Sequence, residues 1–142
     1  MVSLPKVNDM NEQQNIERIK ESFERFGTGD VKGLVDHFTD DAELVFAGGS
    51  GVPWSGTYRG HAGVEQWLSR VERAVDYEAF EPLEYVAQRD KVVVLGREAW
   101  TAKGTTRRCE QHWCVVFTMQ SGKIARARSF EDTAAVSAAI RG

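Results

Sequence analysis

Apolar residues recur along this chain with two different periods, and the change from one to the other separates a helical first half from an extended second half. From Asn11 onward Ile16, Ile19, Phe23 and Phe26 return at steps of three and four, the face of an amphipathic helix that Gly27 and Gly29 end. Asp30 is placed to cap a second short helix with Val31, Leu34, Val35 and Phe38 on one side. Thr39-Asp40-Asp41 reads as a turn and residues 42–46 as a first strand. Residues 47–56, with four Gly and one Pro, read as a long loop around Trp54. That loop is either a lid over something apolar or simple core closure. Tyr58-Arg59-Gly60-His61 leads into a third helix whose stripe is Val64, Trp67, Leu68, Val71 and Val75.

Beyond this helix the chain is mostly strand, over about 77–88, 91–102, 106–119 and 123–131, with turns at Arg89-Asp90, Lys103-Gly104-Thr105 and Gln120-Ser121-Gly122. Asp132 then caps a last short helix through Ile140. Helices followed by a meander of long strands predict an α+β fold with the helices gathered on one face of the sheet. Long strands twist strongly, and a sheet wrapped partly around helices leaves a cone. No repeat or low-complexity segment interrupts the pattern. The expected organisation is a flexible arm over residues 1–10 and a single domain over residues 11–142.

A hydrophobic fraction of 42% in 142 residues supplies a core without a disulfide or metal staple. Four Trp and seven Phe are enough either to fill that core or to line an apolar ligand cavity. A net charge of −3 and a pI near 5.6 argue against a nucleic-acid partner. The one dense basic stretch, Lys103 to Arg108, reads as a solvated hairpin tip. No apolar run approaches membrane-spanning length, so no membrane association and a cytoplasmic location are expected. Cys109 and Cys114 are five positions apart in a strand and point to opposite faces, which predicts free buried thiols. His112 lies between them, but no metal-ligand spacing is matched, and no metal is expected.

Four stretches carry a family resemblance. They are Gly29-Asp30-Val31 before Leu34-Val35; Phe38-Thr39-Asp40-Asp41-Ala42 before a strand; Gly60-His61-Ala62-Gly63-Val64 opening the third helix; and Ser121-Gly122-Lys123-Ile124 with Ser129-Phe130-Glu131-Asp132-Thr133-Ala134 near the end. In this order they resemble the nuclear-transport-factor-2-like superfamily, in particular its SnoaL-like branch of polyketide cyclases and ketosteroid-isomerase relatives. The resemblance implies a cone: a strongly curved, mixed or antiparallel sheet, about three N-terminal helices on its concave face, and a short C-terminal helix. Function has to be argued from the site, because one fold hosts many chemistries. Alignment on the quoted stretches puts the family's steroid-isomerase base at Phe46, its oxyanion tyrosine near Ser22 and its protonated acid near Cys114, so that catalytic set is missing. Of the Asp-Arg-Asp arrangement of the epoxide-hydrolase relatives only Arg97 matches, with Ala99 and Ser129 in the acidic positions.

The same alignment implies that Arg97, Ala99 and Thr101, then Glu110, His112 and Cys114, then Ala125, Ala127, Ser129 and Glu131 face the cavity. Trp100 and the row Trp113, Val115, Phe117 and Met119 would then lie on the convex face, where so apolar a row predicts a homodimer. His112 becomes the candidate proton carrier, Glu110 its orienting partner and Arg97 the holder of an oxyanion or carboxylate. The competing reading makes the three a structural polar network, with Arg97 and Glu110 as a cross-strand charge pair. Phe46, Trp54, Tyr58, Trp67, Cys114 and Ser129 are the candidate binding residues. Asp132 reads as a helix cap, and Glu131 as a strand-end carboxylate that meets solvent. The function expected is cofactor-independent acid–base chemistry, of cyclase or isomerase type, on an apolar, ring-bearing carbonyl compound. The alternatives are a non-catalytic binder of an apolar metabolite and a protein-interaction domain with a filled core.

Overall fold

The computed structural model describes residues 10–142; all but the last residue of the expected N-terminal arm lie outside the described residues. Local chemistry accounts for most element boundaries. Helix α1 (Glu12–Thr28) opens on a capping box, in which the Asn11 carboxamide accepts the Gln14 N–H at 2.8 Å while the Gln14 side chain accepts the Asn11 N–H at 3.0 Å. It closes at Gly29, whose φ of 73° is the left-handed conformation that a helix end asks of glycine. Asp30 caps α2 (Val31–Val35) by accepting the Gly33 N–H at 2.9 Å. Helix α3 (Gly60–Ala74) and helix α4 (Thr133–Arg141) complete the set, with Asp132 capping α4 through the Ala135 N–H as its position suggests.

Six strands, β1 (Phe38–Phe46), β2 (Gly56–Arg59), β3 (Val75–Gln88), β4 (Lys91–Ala102), β5 (Arg108–Gln120) and β6 (Lys123–Glu131), form one curved, open sheet in the order β2-β1-β6-β5-β4-β3. All neighbours are antiparallel except β1 and β6, so the sheet is mixed. The strands expected at 91–102 and 123–131 match the structure at both ends, because tight turns bracket them. Two features were not legible. Strand β1 starts at Phe38, so Thr39-Asp40-Asp41 is an irregular stretch of strand and not a turn; β2 pairs with β1 just before α3, where a loop was expected. Pro82 is tolerated in β3 because that strand is the sheet edge, and the register shifts around Tyr77–Ala79 and Pro82–Glu84 bend it.

Helix α1 lies over β3 and β4, and α3 over β1, so the helices cover the concave face. This decides which strand residues are inside, and it reverses the expected parity of β4 and β5. Trp113, Val115, Phe117 and Met119 point inward beneath the helices, as do Val92, Val94, Glu98 and Trp100. His112 and Glu110 are exposed on the convex face, Arg97 sits beside them, and Cys114 is half-buried between Leu95 and Phe130. A one-residue slip in a strand exchanges every side chain between the faces, and the large apolar row goes where water is excluded. On β6, Ala127, Ser129 and Glu131 face inward as expected, but Ile124 takes the place expected of Ala125 because the ladder shifts register there. Among the described residues no helix is long and apolar enough to cross a membrane.

Candidate functional site

Between the helices and the sheet lies a cavity of about 90 Å³. Its walls are aromatic: Phe23 and Phe26 from α1, Phe46 from β1, Trp67 from α3, Phe80 from β3 and Trp113 from β5 all line it. Trp67 stacks on Phe46 with centroids 5.1 Å apart, and Trp113 stacks on Phe80 at 5.0 Å, so the two indoles are each held in a fixed plane. The indole Nε1–H groups of Trp67 and Trp113 are buried and have no acceptor. A buried donor left unpaired costs roughly 1–3 kcal/mol.

One end of this apolar chamber is polar, and three strands build it. Glu98 projects from β4, Gln111 from β5 opposite it, and Glu131 from the end of β6. Glu98 receives the Trp100 indole N–H at 2.7 Å and the Gln111 amide at 3.3 Å, both on Oε2. Glu131 receives the Trp54 indole N–H at 3.1 Å on Oε1 and the Gln111 amide at 3.3 Å on Oε2. The two carboxyls therefore differ: Glu131 has a donor on each oxygen, whereas the Oε1 of Glu98 has no donor among the described residues. Burial, then the neighbouring Glu131 charge, pushes Glu98 up to about 7, against the hydrogen bonds from Gln111 and Trp100. Burial also raises Glu131, opposed by its bonds to Trp54 and Gln111.

Tyr77 of β3 stands where the cavity meets solvent. It lines the cavity, packs edge-on against Phe26 and Phe80, and keeps 39% of its surface open. Burial of its hydroxyl and the charges of Glu98 and Glu131 hold it well above the usual phenol value. Cys109, beneath Trp100 in the same region, is pushed up to about 11 by burial and by Glu98, Asp132 and Glu131, so it is a thiol and not a nucleophilic thiolate.

Of the residues singled out from sequence, Phe46, Trp54, Trp67 and Ser129 line this cavity and the others do not. Tyr58 is buried, but its hydroxyl donates to the Trp54 carbonyl at 2.8 Å and accepts from Arg70, so it holds the Trp54 loop and does not reach the cavity. Arg97 bonds Glu81 at 2.7 Å and Glu110 at 2.8 Å, and Arg108 bonds Glu110 and Glu78, a charge network on the convex face. His112, paired with Arg97 on that face, is separated from the cavity by the sheet itself. The free thiols of Cys109 and Cys114 lie on opposite faces. Among the described residues no group of three His, Cys, Asp or Glu is placed to hold a metal ion.

Sequence reasoning passed over Glu98 and Gln111, and it put Glu131 on the cavity-facing side of β6 but read it as a rim carboxylate that meets solvent. A signal for them existed: if Trp100 and Trp113 are taken as buried, the same alternation puts Glu98 and Gln111 among buried neighbours, and a buried polar residue is the informative kind.

The fold and the sequence both have known counterparts. An NTF2-like protein from Burkholderia xenovorans LB400 superposes with a TM-score of 0.84 at 34% identity, covering 92% of this chain and 98% of that one. TerC, co-crystallised with polyporic acid, superposes at 0.81 with 30% identity over 91% of this chain and 99% of its own. A protein of ketosteroid isomerase-like fold from Catenulispora acidiphila, in complex with trimethylamine, superposes at 0.75 with 13% identity, covering 88% and 92% of the two chains; it shares the fold alone. No curated protein matches the sequence. The SnoaL-like domain model matches residues 19–127, a span that runs from within the first helix into the last strand and takes in most of the cavity, and the chain belongs to the SnoaL-like domain family.

Proposed function

We propose that this protein binds a small, largely apolar, ring-bearing carbonyl compound in the cavity and carries out proton-transfer chemistry on it, with Glu98 as the proton carrier. The observation that supports this reading most is a carboxyl that is half-protonated near neutral pH at the polar end of an aromatic chamber. A general acid or base works best when its pKa lies close to the operating pH, and an apolar enclosure strengthens every polar contact made inside it. In this reading the Oε1 of Glu98, which has no donor among the described residues, bears the proton and gives it to the carbonyl oxygen. Glu131 remains the anion because both its oxygens are already satisfied. Tyr77 offers a second neutral donor beside them.

The aromatic walls set the ligand class. The likeness to TerC, co-crystallised with polyporic acid, supports an organic ligand. The proposal needs no metal or organic cofactor. An interaction domain was expected to have a filled core, and a cavity of about 90 Å³ weighs against that alternative.

For the subunit state the reading is a homodimer through the convex face. Its support differs from the sequence argument: Leu95, Cys114 and Phe130 form a continuous cross-strand row, with Leu95 40% and Phe130 47% exposed.

The experiment is native mass spectrometry of the purified protein, which reads subunit number and any retained small molecule, followed by turnover of that molecule by wild type and Glu98→Gln. Loss of turnover with binding retained supports catalysis by Glu98. Undiminished turnover removes Glu98 from the mechanism, and binding without turnover in wild type leaves a non-catalytic carrier.

A further inference from the structure

Gln111 links the two carboxyls, and its orientation is determined. Its side-chain oxygen lies 2.9 Å from the backbone N of Asp132. A backbone N–H can only donate, so the carboxamide oxygen must be the atom that meets it. The NH₂ group is thereby turned away from Asp132 and towards Glu98 Oε2 and Glu131 Oε2, each at 3.3 Å. Both amide hydrogens are committed, one to each carboxyl, and the oxygen is unavailable to accept a proton from either. Gln111 is buried, so no water competes for these bonds.

Each glutamate receives two donors, and their placement on the oxygens separates the two. Gln111 completes a donor on every oxygen of Glu131, but on Glu98 it lands on the oxygen already bonded to Trp100 and leaves Oε1 free. We infer that Gln111 is a positioning residue that decides which carboxyl of the pair holds the proton, keeping Glu131 ionised and the proton on Oε1 of Glu98, on the cavity side of the pair. This rests on the reading of Glu98 as the proton carrier. The titratable groups around the pair are few. Tyr77 approaches from β3, Cys109 from β5 and Asp132 from the start of α4, while the cavity-lining residues of α1 and α3 contribute none. Among the described residues no lysine or arginine is bonded to either carboxyl. Gln111 and the two indoles are therefore the groups that balance these charges.

The indoles also make the test direct. Of the four Trp in the chain, Trp100 donates to Glu98 and Trp54 to Glu131, so their Nε1–H resonances report the two carboxyls separately, without any ligand. In ¹H–¹⁵N spectra of the ¹⁵N-labelled protein, recorded between about pH 5 and about pH 9, the Trp100 indole should titrate near neutrality, and both Gln111 side-chain amide protons should move with the same midpoint. In Gln111→Met, which keeps the length of the side chain and removes both donors, Oε2 of Glu131 is freed to take the proton, so the Trp54 indole, flat in wild type over this range, should titrate together with Trp100. A Trp54 indole that stays flat in Gln111→Met while Trp100 titrates as in wild type would overturn the inference. So would Gln111 amide signals that stay flat in wild type while Trp100 titrates, a result that needs no variant to fold. A Trp100 resonance that does not titrate at all would instead remove Glu98 as proton carrier, and the inference with it.

Discussion

Replacing Glu98 by Gln should abolish a pH dependence of stability whose size and sign follow from the structure. Glu98 is 5% exposed, and burial with the Glu131 charge beside it raises its carboxyl from 4.5 to about 7. Between those two values the folded protein holds a proton that the unfolded chain has released. Stability must therefore fall as pH rises through this window, and level off above the folded-state value. The penalty is absent at low pH and fully present above about pH 7. At about 1.4 kcal/mol per pH unit it amounts to about 3 kcal/mol, a large part of the roughly 5–15 kcal/mol that holds a domain folded. The carboxamide introduced by Glu98→Gln has the same shape, can still accept the Trp100 indole N–H, and does not titrate. Urea unfolding at about pH 5 and about pH 8.5 should show the stability of Glu98→Gln gaining on wild type by about 3 kcal/mol between the two. Burial of Glu131 acts in the same direction, so the variant should keep a smaller residual slope of the same sign. A difference between wild type and variant that is constant across this range would refute the premise that Glu98 is buried and shifted.

Other substitutions separate the cavity from the convex face. His112→Ala should leave ligand affinity and turnover unchanged and alter stability by no more than about 0.5 kcal/mol in urea unfolding, because the imidazole is exposed on the far side of the sheet. Ala127→Leu, which grows a side chain into the chamber, should weaken ligand binding by about tenfold or more in a fluorescence titration while leaving the Trp100 indole titration in place. Gly96→Ala should destabilise by about 2 kcal/mol or more in the same unfolding assay, since its Cβ would run into the Trp113 ring and lie 2.7 Å from the Glu81 carbonyl oxygen.

What this chain shows without its structure is whatever neighbouring residues decide between themselves. Asn11, Asp30 and Asp132 cap helices wherever they are placed in a fold, because the N–H groups they satisfy lie three residues away in the same chain. The hairpins at Arg89-Asp90 and Gln120-Ser121-Gly122 are equally local, and they bracket β4 and β6 to the residue. The family stretches are of the same kind, which is why the cone could be read from their order. Tertiary structure alone decided which face of β4 and β5 is inside, because alternation has two settings and only the covering helices choose between them. That choice sends His112, Glu110 and Arg97 to solvent and brings Glu98, Gln111 and Glu131 together from three strands. The pair's proton chemistry arises from burial and from a like charge close by, and neither exists until the sheet has folded around it.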